Sequence, residues 1–191
     1  RQALAPAQQG LCASGSACVF LPAIMNILPL PASREYALDL YRTAYLGSAG
    51  VPPQWTGSIA GCKAGETSQA FRDSVLLRVN YFREMAGVPK ITAFNDTYNQ
   101  QDQAAALIMA ANQQLNHTPP STWKCYSDLG KQGAGSSNLA MGAYGPEAIT
   151  VYMDDGEVGS LGHRRWVLYP QTQEMGTGDI PDTSDWRTMT N

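Results

Sequence analysis

The chain of 191 residues is poor in charge, in histidine and in long apolar runs. Charged residues make up 15% of it, and the net charge of −3 disfavours sequence-independent binding to nucleic acid, which needs a basic face. The most apolar stretch, ACVFLPAIMNILPLPA, is interrupted by Pro22, Asn26, Pro29 and Pro31. Because this stretch is too broken and too short to cross a bilayer, we expect no transmembrane segment.

The short motifs of several large enzyme classes are also missing. The chain has no phosphate-binding loop with its lysine, no HExxH pair and no GxSxG nucleophile turn. The stretch GKQGAGSSN has closely spaced glycines, but no predicted strand precedes it, so it does not indicate a nucleotide site. Any site in this chain must therefore be built from residues that are dispersed along the sequence.

The four cysteines, Cys12, Cys18, Cys62 and Cys125, include no CxxC pair. With only two histidines in the chain, a closed structural zinc site is disfavoured. Two disulfides are the favoured interpretation, with Cys12–Cys18 and Cys62–Cys125 as the preferred pairing, and buried free thiols are the alternative. Disulfides predict a secreted protein, and the start at Arg1 is interpreted as that of a trimmed, mature chain.

Apolar residues at helical spacing predict two helices in the first half of the chain. ASREYALDLYRTAYLGSAG predicts a helix that opens at Ser33 and ends at Gly47. TSQAFRDSVLLRVNYFREMAGVPK predicts another, capped by Thr67 or Ser68 and stopped by Gly87 and Pro89. The residues expected to face inward are Leu40, Tyr41, Ala44 and Tyr45 in the first helix, and Phe71, Val75, Val79, Phe82 and Ala86 in the second.

The second half of the chain predicts further helices followed by strands. DTYNQQDQAAALIMAANQQLN predicts a helix, and GPEAITVYMDD a short one with Pro146 at its first position. HRRWVLY and EMGTGDI are strand candidates. Helices first and strands late indicate an α+β fold, with residues 1–65 as an N-terminal extension with covering loops and 66–191 as the main domain. The inner face of the long helix is predicted to be Tyr98, Gln101, Ala105, Ile108, Ala111 and Leu115.

The two histidines are the residues most able to form a site. His117 follows the predicted long helix, where Pro119 and Pro120 prevent continuation, and His163 precedes the apolar run RRWVLY. Two neutral imidazoles with a carboxylate and a water would suit a zinc-like divalent ion with an open position. The structural alternatives are a surface histidine at a helix C-terminus for His117 and a hydrogen-bonded core residue for His163.

The order of four segments resembles the CAP superfamily, which comprises cysteine-rich secretory, antigen 5 and pathogenesis-related proteins. LLRVNYFREMAGVPKI is similar to the opening helix of the family and AAALIMAANQQLNH to its second helix, which ends in histidine. SSNLAMG stands where the family has Gly-Glu-Asn, and GHRRWVLYP where it has its Gly-His strand, in the form of bacterial-type extracellular members. The resemblance covers about residues 70–180 and implies a three-layer α-β-α sandwich.

The resemblance also implies a cleft where two histidines and two acidic residues converge. The histidines fall on His117 and His163, and the second acid falls on Asp155, with Asp154 as the one-residue alternative. The first acid falls on Ser137, and a serine is a poor substitute for a glutamate that accepts a proton. The neighbouring Asn138 is expected to hold a turn by bonding to backbone. We therefore expect a cleft that holds a divalent metal ion, with zinc as the first candidate.

Three functions follow from this interpretation. The first is a secreted binding module with a two-histidine metal cleft and apolar grooves for a lipid-like or protein ligand. The second is a metal-dependent hydrolase of peptide or ester bonds that uses Asp155 as base. The third is a defence toxin or an adhesive structural protein.

The small number of strands leads to an expectation about a partner. One good strand and one weak one would leave an unpaired sheet edge beside Trp166, which monomeric proteins avoid. A precursor cut after Asn191, with a second and shorter chain supplying the missing strands, would cover that edge. The alternative is that the end at Asn191 is an arbitrary boundary, or that the missing strands are simply disordered.

Overall fold

The structure is a computed structural model that describes residues 33–156 and 159–181 and the backbone of 188–190. It is an α+β arrangement in which helices dominate and strands are short, as expected. None of the described helices is long and apolar enough to cross a membrane. The elements are α1 Arg34–Leu40, a π-helical segment π1 Tyr41–Leu46, α2 Gln69–Met85, α3 Asp96–Asn112, α4 Asp128–Ser136, β1 Leu139–Met141, α5 Pro146–Asp154, α6 Gly162–Val167, β2 Gly178–Ile180 and β3 Thr188–Thr190.

The first helical segment begins where the sequence predicts and is fixed to α2. Ser33 caps α1 by accepting the Tyr36 N–H, and π1 continues the helix up to Gly47. Arg78 of α2, only 2% exposed, donates to the carbonyl of Tyr45 and lies 3.8 Å from the centre of its ring. Ala44 is buried as predicted, but Tyr41 is 39% exposed, so its predicted inward orientation is wrong.

Helix α2 forms the core together with α5. The Ser68 hydroxyl caps it by accepting the Phe71 N–H, and Gly87 ends it with a φ of 69°. Phe71, Val75 and Val79 are buried as predicted and pack with residues of α5 and the segment after α2. Ala86 is exposed, contrary to the prediction, because it is the C-cap residue where the chain leaves the helix.

Helix α3 is buried on all sides along its middle. Every residue from 102 to 110 is buried, because α4 covers one side and strands β2 and β3 lie against the helix as well. A one-sided apolar face is therefore the wrong description of this helix. Tyr98 and Leu115, both predicted to face inward, are 39% and 36% exposed, since they lie beyond the covered stretch.

Helix α4 is formed by the glycine-rich segment in which the sequence predicts no helix. Ser127 caps it by accepting the Gly130 N–H. A Cβ at Gly130 would lie 2.6 Å from Ile108 Cδ1, and one at Gly133 would overlap the Gln101 carbonyl. The glycines therefore let two helices approach more closely than any side chain allows, and this tertiary contact offsets their poor helix propensity.

A matched pair of substitutions tests the close approach of α3 and α4. We expect Gly133→Ala to lower the free energy of unfolding by about 2–3 kcal/mol, because the new methyl group overpacks the interface. Gly135→Ala on the same helix is the control, since the nearest atom to its Cβ would be the His117 carbonyl oxygen at 3.5 Å. Urea denaturation measures both; equal stabilities of the two variants would contradict the contact.

The sheet has the order β1-β3-β2, with both pairings antiparallel. In the middle strand, Met189 lies opposite Ala140 on one side and opposite Asp179 on the other. Strand β2 lies within the predicted candidate EMGTGDI. The predicted strand HRRWVLY is wrong, because Gly162–Val167 form a helix, and the expected sheet edge beside Trp166 is wrong for the same reason.

Contacts from distant residues explain why α6 is helical despite its strand-like composition. Its N-cap position is Leu161, which has no capping side chain and a φ of 51°. Asp155 supplies the missing acceptor, because its Oδ2 receives the Arg164 N–H at 3.2 Å. At the other end, the Arg83 guanidinium donates to the Val167 carbonyl at 2.7 Å. An anion at the N-terminus and a cation at the C-terminus both stabilise a helix.

One disulfide joins the segment before α2 to the connection between α3 and α4. Cys62 and Cys125 form it, at a sequence separation of 63, which is the preferred pairing of the sequence analysis. Cys12 and Cys18 lie outside the described residues. The disulfide places the residues around Ile59 and Ala64 against α3.

Candidate functional site

The two histidines line one cavity of about 830 Å³. Residues of α3, α4 and α6 and of the segments 136–138 and 172–176 form its walls. The cavity combines polar groups with apolar and aromatic ones, as ligand pockets usually do. The lining residues used below are Tyr98, Asp102, His117, Ser137, Asn138, His163, Trp166, Glu174, Met175 and Gly176.

His117 is oriented by the last turn of α4. Its Nδ1 lies 2.7 Å from the carbonyl oxygen of Ala134. A carbonyl oxygen only accepts hydrogen bonds, so Nδ1 carries the proton and Nε2 of the neutral ring is left with its lone pair. The backbone on either side of His117 is held by Asn116, whose Oδ1 accepts the Thr118 N–H.

His163 is oriented by the carboxylate of Asp155. Its Nδ1 donates to Asp155 Oδ1 at 2.8 Å, and its ring centre lies 5.2 Å from that of the buried Tyr152. Burial alone would raise the pKa of Asp155, but the bonds from His163 and from the Arg164 N–H outweigh it and lower the pKa. Asp155 therefore stays ionised and fixes the ring with Nε2 as the unprotonated nitrogen of the neutral form.

The acid that the resemblance implies, Asp155 or its alternative Asp154, does not line the cavity itself. Asp155 is 5% exposed and lies behind His163, with one oxygen used by each of its two hydrogen bonds. Asp154 is exposed, and its backbone carbonyl accepts a hydrogen bond from the Arg164 guanidinium. Neither residue belongs to the cavity lining, whereas Ser137 and Asn138 both do.

Ser137 and Asn138 each contact another residue of the site. The Ser137 hydroxyl donates to Asp102 Oδ1 at 2.6 Å, and the Asn138 amide donates to the His163 carbonyl at 3.2 Å. Asn138 thus holds backbone, as expected, and the backbone that it holds is the first turn of α6. The Ser137 contact introduces a carboxyl group that the sequence analysis does not include.

Asp102 is the residue of the site that sequence reasoning misses. It lines the cavity, yet is only 4% exposed. Burial raises its pKa to about 7, with the Ser137 hydrogen bond acting in the opposite direction and the charge of Asp179 adding to the increase. The available signal is its position: a lone acid directly before QAAALIMAA, a stretch too apolar to tolerate an unpaired charge.

A second carboxyl group lies in the core close to the first. Asp179 is fully buried and accepts the Gly145 N–H at 2.7 Å and the Thr177 hydroxyl at 3.2 Å. Burial raises its pKa to about 7, which these two hydrogen bonds only partly counteract. The buried Tyr152 hydroxyl has no hydrogen-bond partner among the described residues, and burial followed by the charge of Asp179 raises its pKa.

The raised pKa of Asp179 predicts how the stability of the protein varies with pH. The folded chain keeps this proton up to about pH 7, whereas the unfolded chain loses it near the ordinary aspartate pKa. The folded state therefore binds more protons between these values, and the free energy of unfolding falls as pH rises through them. We expect Asp179→Asn to remove a fall on the order of 4 kcal/mol, measured by urea denaturation across this range.

The control for this experiment is Asp73→Asn, because Asp73 is exposed on α2 and bonds only to Gln69. This variant should keep the pH profile of the wild type. An Asp179→Asn profile that runs parallel to the wild-type profile would contradict the assignment.

The donor set is compatible with a weakly held divalent ion. His117 and His163 each offer an Nε2 lone pair, and each ring has the Nδ1 partner that orients metal-binding histidines in known sites. Within the ranges that the structure describes, no group of three or more His, Cys, Asp and Glu side chains is arranged to hold a metal ion. The protein would therefore supply two ligands and leave the remaining positions to water or to a bound molecule.

The comparison with known families supports the same class of protein. The description of the matching family is "CAP: Cysteine-rich secretory protein family", and the match covers residues 76–190. The match spans more than half of the chain, which therefore belongs to the CAP family. No curated protein and no solved structure matches it. The matched region includes both histidines and every lining residue named above.

Proposed function

We propose that this protein is a CAP-type binding module whose cavity holds a ligand beside a divalent ion bound to Nε2 of His117 and of His163. The observation that carries the proposal is that both histidines line one cavity while each Nδ1 is engaged by an acceptor. An imidazole fixed in this way presents a single nitrogen in one orientation, which lowers the entropy cost of binding an ion.

Each neighbouring residue has a definite task in this proposal. Asp155 orients His163, and the Ala134 carbonyl orients His117. Asn138 holds the backbone of His163 in place. A bound divalent ion would supply an electrophilic centre to which an oxygen atom of a ligand can attach. The apolar wall, with Trp166 and Met175, would contact the less polar part of a lipid-like or protein ligand.

The two alternative functions receive less support. A hydrolase that uses Asp155 as base requires this carboxylate at the cavity, whereas it lies behind His163 with both oxygens engaged. A toxin or adhesive role rests on no contact among the described residues. We therefore keep binding as the proposed activity.

We also propose the finer features that the family suggests. Helices α3 and α4 would form one layer, the sheet the middle, and α2 with α5 the other, since α3 contacts β2 and β3 while α5 contacts β1. The CAP domain would begin near residue 66 and the protein would be secreted, in keeping with the Cys62–Cys125 disulfide. The Gly-His-Arg-Arg-Trp segment favours bacterial-type relatives.

Zinc titration calorimetry tests the metal site. We expect one zinc ion per wild-type chain, and at least about tenfold weaker binding for His117→Ala and for His163→Ala, because loss of a ligand should cost no less than loss of an outer partner. Asp154→Asn is the control, since this neighbouring carboxylate is exposed and does not line the cavity. Equal heats for the wild type and both histidine variants would refute the proposal.

A further inference from the structure

The charged groups that line the cavity are acidic. Asp102 and Glu174 belong to the lining, and no lysine or arginine does among the residues that the structure describes. Arg164, which is near in sequence to His163, is turned away, because its guanidinium donates to the carbonyls of Met153 and Asp154. An anionic head group, such as the carboxylate of a fatty acid, would find no fixed side-chain cation in this lining.

The carboxyl group of Asp102 is incompletely paired and lines the cavity. Oδ1 accepts the Ser137 hydroxyl, whereas Oδ2 has no hydrogen-bond partner among the described residues. The Tyr152 hydroxyl is the one fully enclosed side-chain polar atom without a partner in the described part of the chain, so the unpaired Oδ2 of Asp102 reaches the cavity. The Gly176 backbone packs closely on this carboxyl group, because a Cβ there would lie 2.7 Å from Oδ2 and 2.5 Å from Tyr98 Cβ. A carboxylate that is 4% exposed and half paired is costly without a cationic partner.

Aromatic rings at the mouth of the cavity provide the second element. Trp166 is 64% exposed and Tyr98 is 39% exposed, although both line the cavity. Trp166 is supported from the side by Tyr169, with ring centres 5.7 Å apart. The faces of tryptophan and tyrosine attract cations through their quadrupoles, and tryptophan does so best. Together, an open carboxylate oxygen and exposed aromatic faces make a site suited to a positively charged organic group.

We infer that the cavity binds an organic cation, an ammonium or guanidinium group, which donates to Asp102 Oδ2 and lies against Trp166. The inference deepens the proposed binding function and rests on it, but it does not require the metal ion. In the metal-free cavity it selects among the ligands proposed above, because it favours a protein ligand with a basic side chain over a lipid with an anionic head group. Ser137 acts as a positioning residue, because its hydroxyl orients the carboxyl group.

Binding of a cation should depend on pH through Asp102. Asp179 from β2 and Tyr152 from α5 interact with its charge, and the other ionisable groups lining the same cavity are Tyr98, His117, His163 and Glu174. Since burial raises the pKa of Asp102 to about 7, a cation must displace its proton below that pH. The apparent affinity then falls roughly tenfold for each pH unit below about 7 and is level above it.

Calorimetric titration with three probes of similar shape tests the inference. The probes are 2-phenylethylammonium, neutral 2-phenylethanol and anionic 3-phenylpropanoate, in zinc-free buffer, so that the result is independent of the metal site. At about pH 8 we expect the ammonium to bind at least tenfold more tightly than either other probe, and roughly thirtyfold more weakly at about pH 5.5. Asp102→Asn should reduce its affinity to that of the alcohol and abolish the pH dependence.

Two further variants complete the design. Asp73→Asn removes an exposed carboxylate from α2 and should leave ammonium binding unchanged. Ser137→Ala removes the hydrogen bond that favours the ionised carboxyl group of Asp102, so the midpoint of the pH dependence of ammonium binding should move to higher pH. This variant tests the inference if Asp102→Asn does not fold. The inference is overturned if the anion binds to the wild type as tightly as the ammonium does. It is also overturned if folded Asp102→Asn and Ser137→Ala both bind the ammonium with the affinity and pH dependence of the wild type.

Discussion

Replacing Arg83 by alanine is expected to lower the free energy of unfolding by about 3–5 kcal/mol, because it removes a buried cation that serves four acceptors. The guanidinium is fully buried and donates to the carbonyls of Pro89 and Val167 at 2.7 Å, of Tyr169 at 3.2 Å and of Thr172 at 3.3 Å. Burial lowers the pKa of Arg83, yet arginine stays protonated in proteins. Alanine would leave these carbonyls without their donor and open a cavity.

The effect should also extend to the ligand cavity. Val167 and Thr172, which Arg83 holds, are lining residues, so the loss of their donor should loosen the cavity wall. Arg165→Ala is the matched control, since this arginine is exposed on α6 and should change stability by less than about 0.5 kcal/mol. Guanidinium denaturation measures both variants. An Arg83→Ala variant within about 1 kcal/mol of the wild type would contradict this role.

Removing the Cys62–Cys125 disulfide is expected to cost about 4 kcal/mol of folding stability, the estimate for a cross-link that closes a loop of 63 residues. The measurement compares thermal unfolding of the wild type with that of Cys62→Ser/Cys125→Ser. Both cysteines have positive φ values, 48° and 58°, and serine bears the same backbone strain, so the difference reports the cross-link. With reductant present in both samples, the wild type and the double variant should be equally stable; a loss below about 1 kcal/mol without reductant would contradict the assignment.

The sequence predicts the helices well where local signals suffice. Ser33 and Ser68 are the N-cap residues of α1 and α2, as the sequence predicts. The predicted spacing also gives the buried face of α2 with Phe71, Val75 and Val79. The same holds for α5, which starts at Pro146 as predicted. The resemblance to the CAP family is confirmed by a match over 76–190. The α+β class is consistent with that match.

The helix α6 and the helix α4 are not predictable in this way, because residues far away in sequence stabilise them. Helix α6 is composed of strand-forming residues, but Asp155 caps one end and Arg83 the other. The glycines of α4 disfavour a helix until their contact with α3 is considered. In both segments, tertiary contacts outweigh the local secondary-structure propensity of the residues.

The sequence predicts some residues of the candidate site and misses others. The interpretation that His117 and His163 face one cleft comes from the sequence, and both line the cavity. The carboxyl group assigned to that cleft does not: the resemblance indicates Asp155, whereas Asp102 from α3 lines it. Asp102 is recognised only from its hydrogen bond with Ser137, the residue that the resemblance places at an acidic position of the family.

Nitrogen-detected NMR of the two imidazole rings tests the central claim most directly. With both histidines labelled, the account predicts that each neutral ring carries its proton on Nδ1, and that both Nε2 resonances shift with zinc along one saturation curve. His117→Ala should move the response of His163 to at least about tenfold higher zinc concentration, because a single ion joins the two rings. A proton on Nε2 of either neutral ring, or a zinc response confined to one of them, would contradict a shared site.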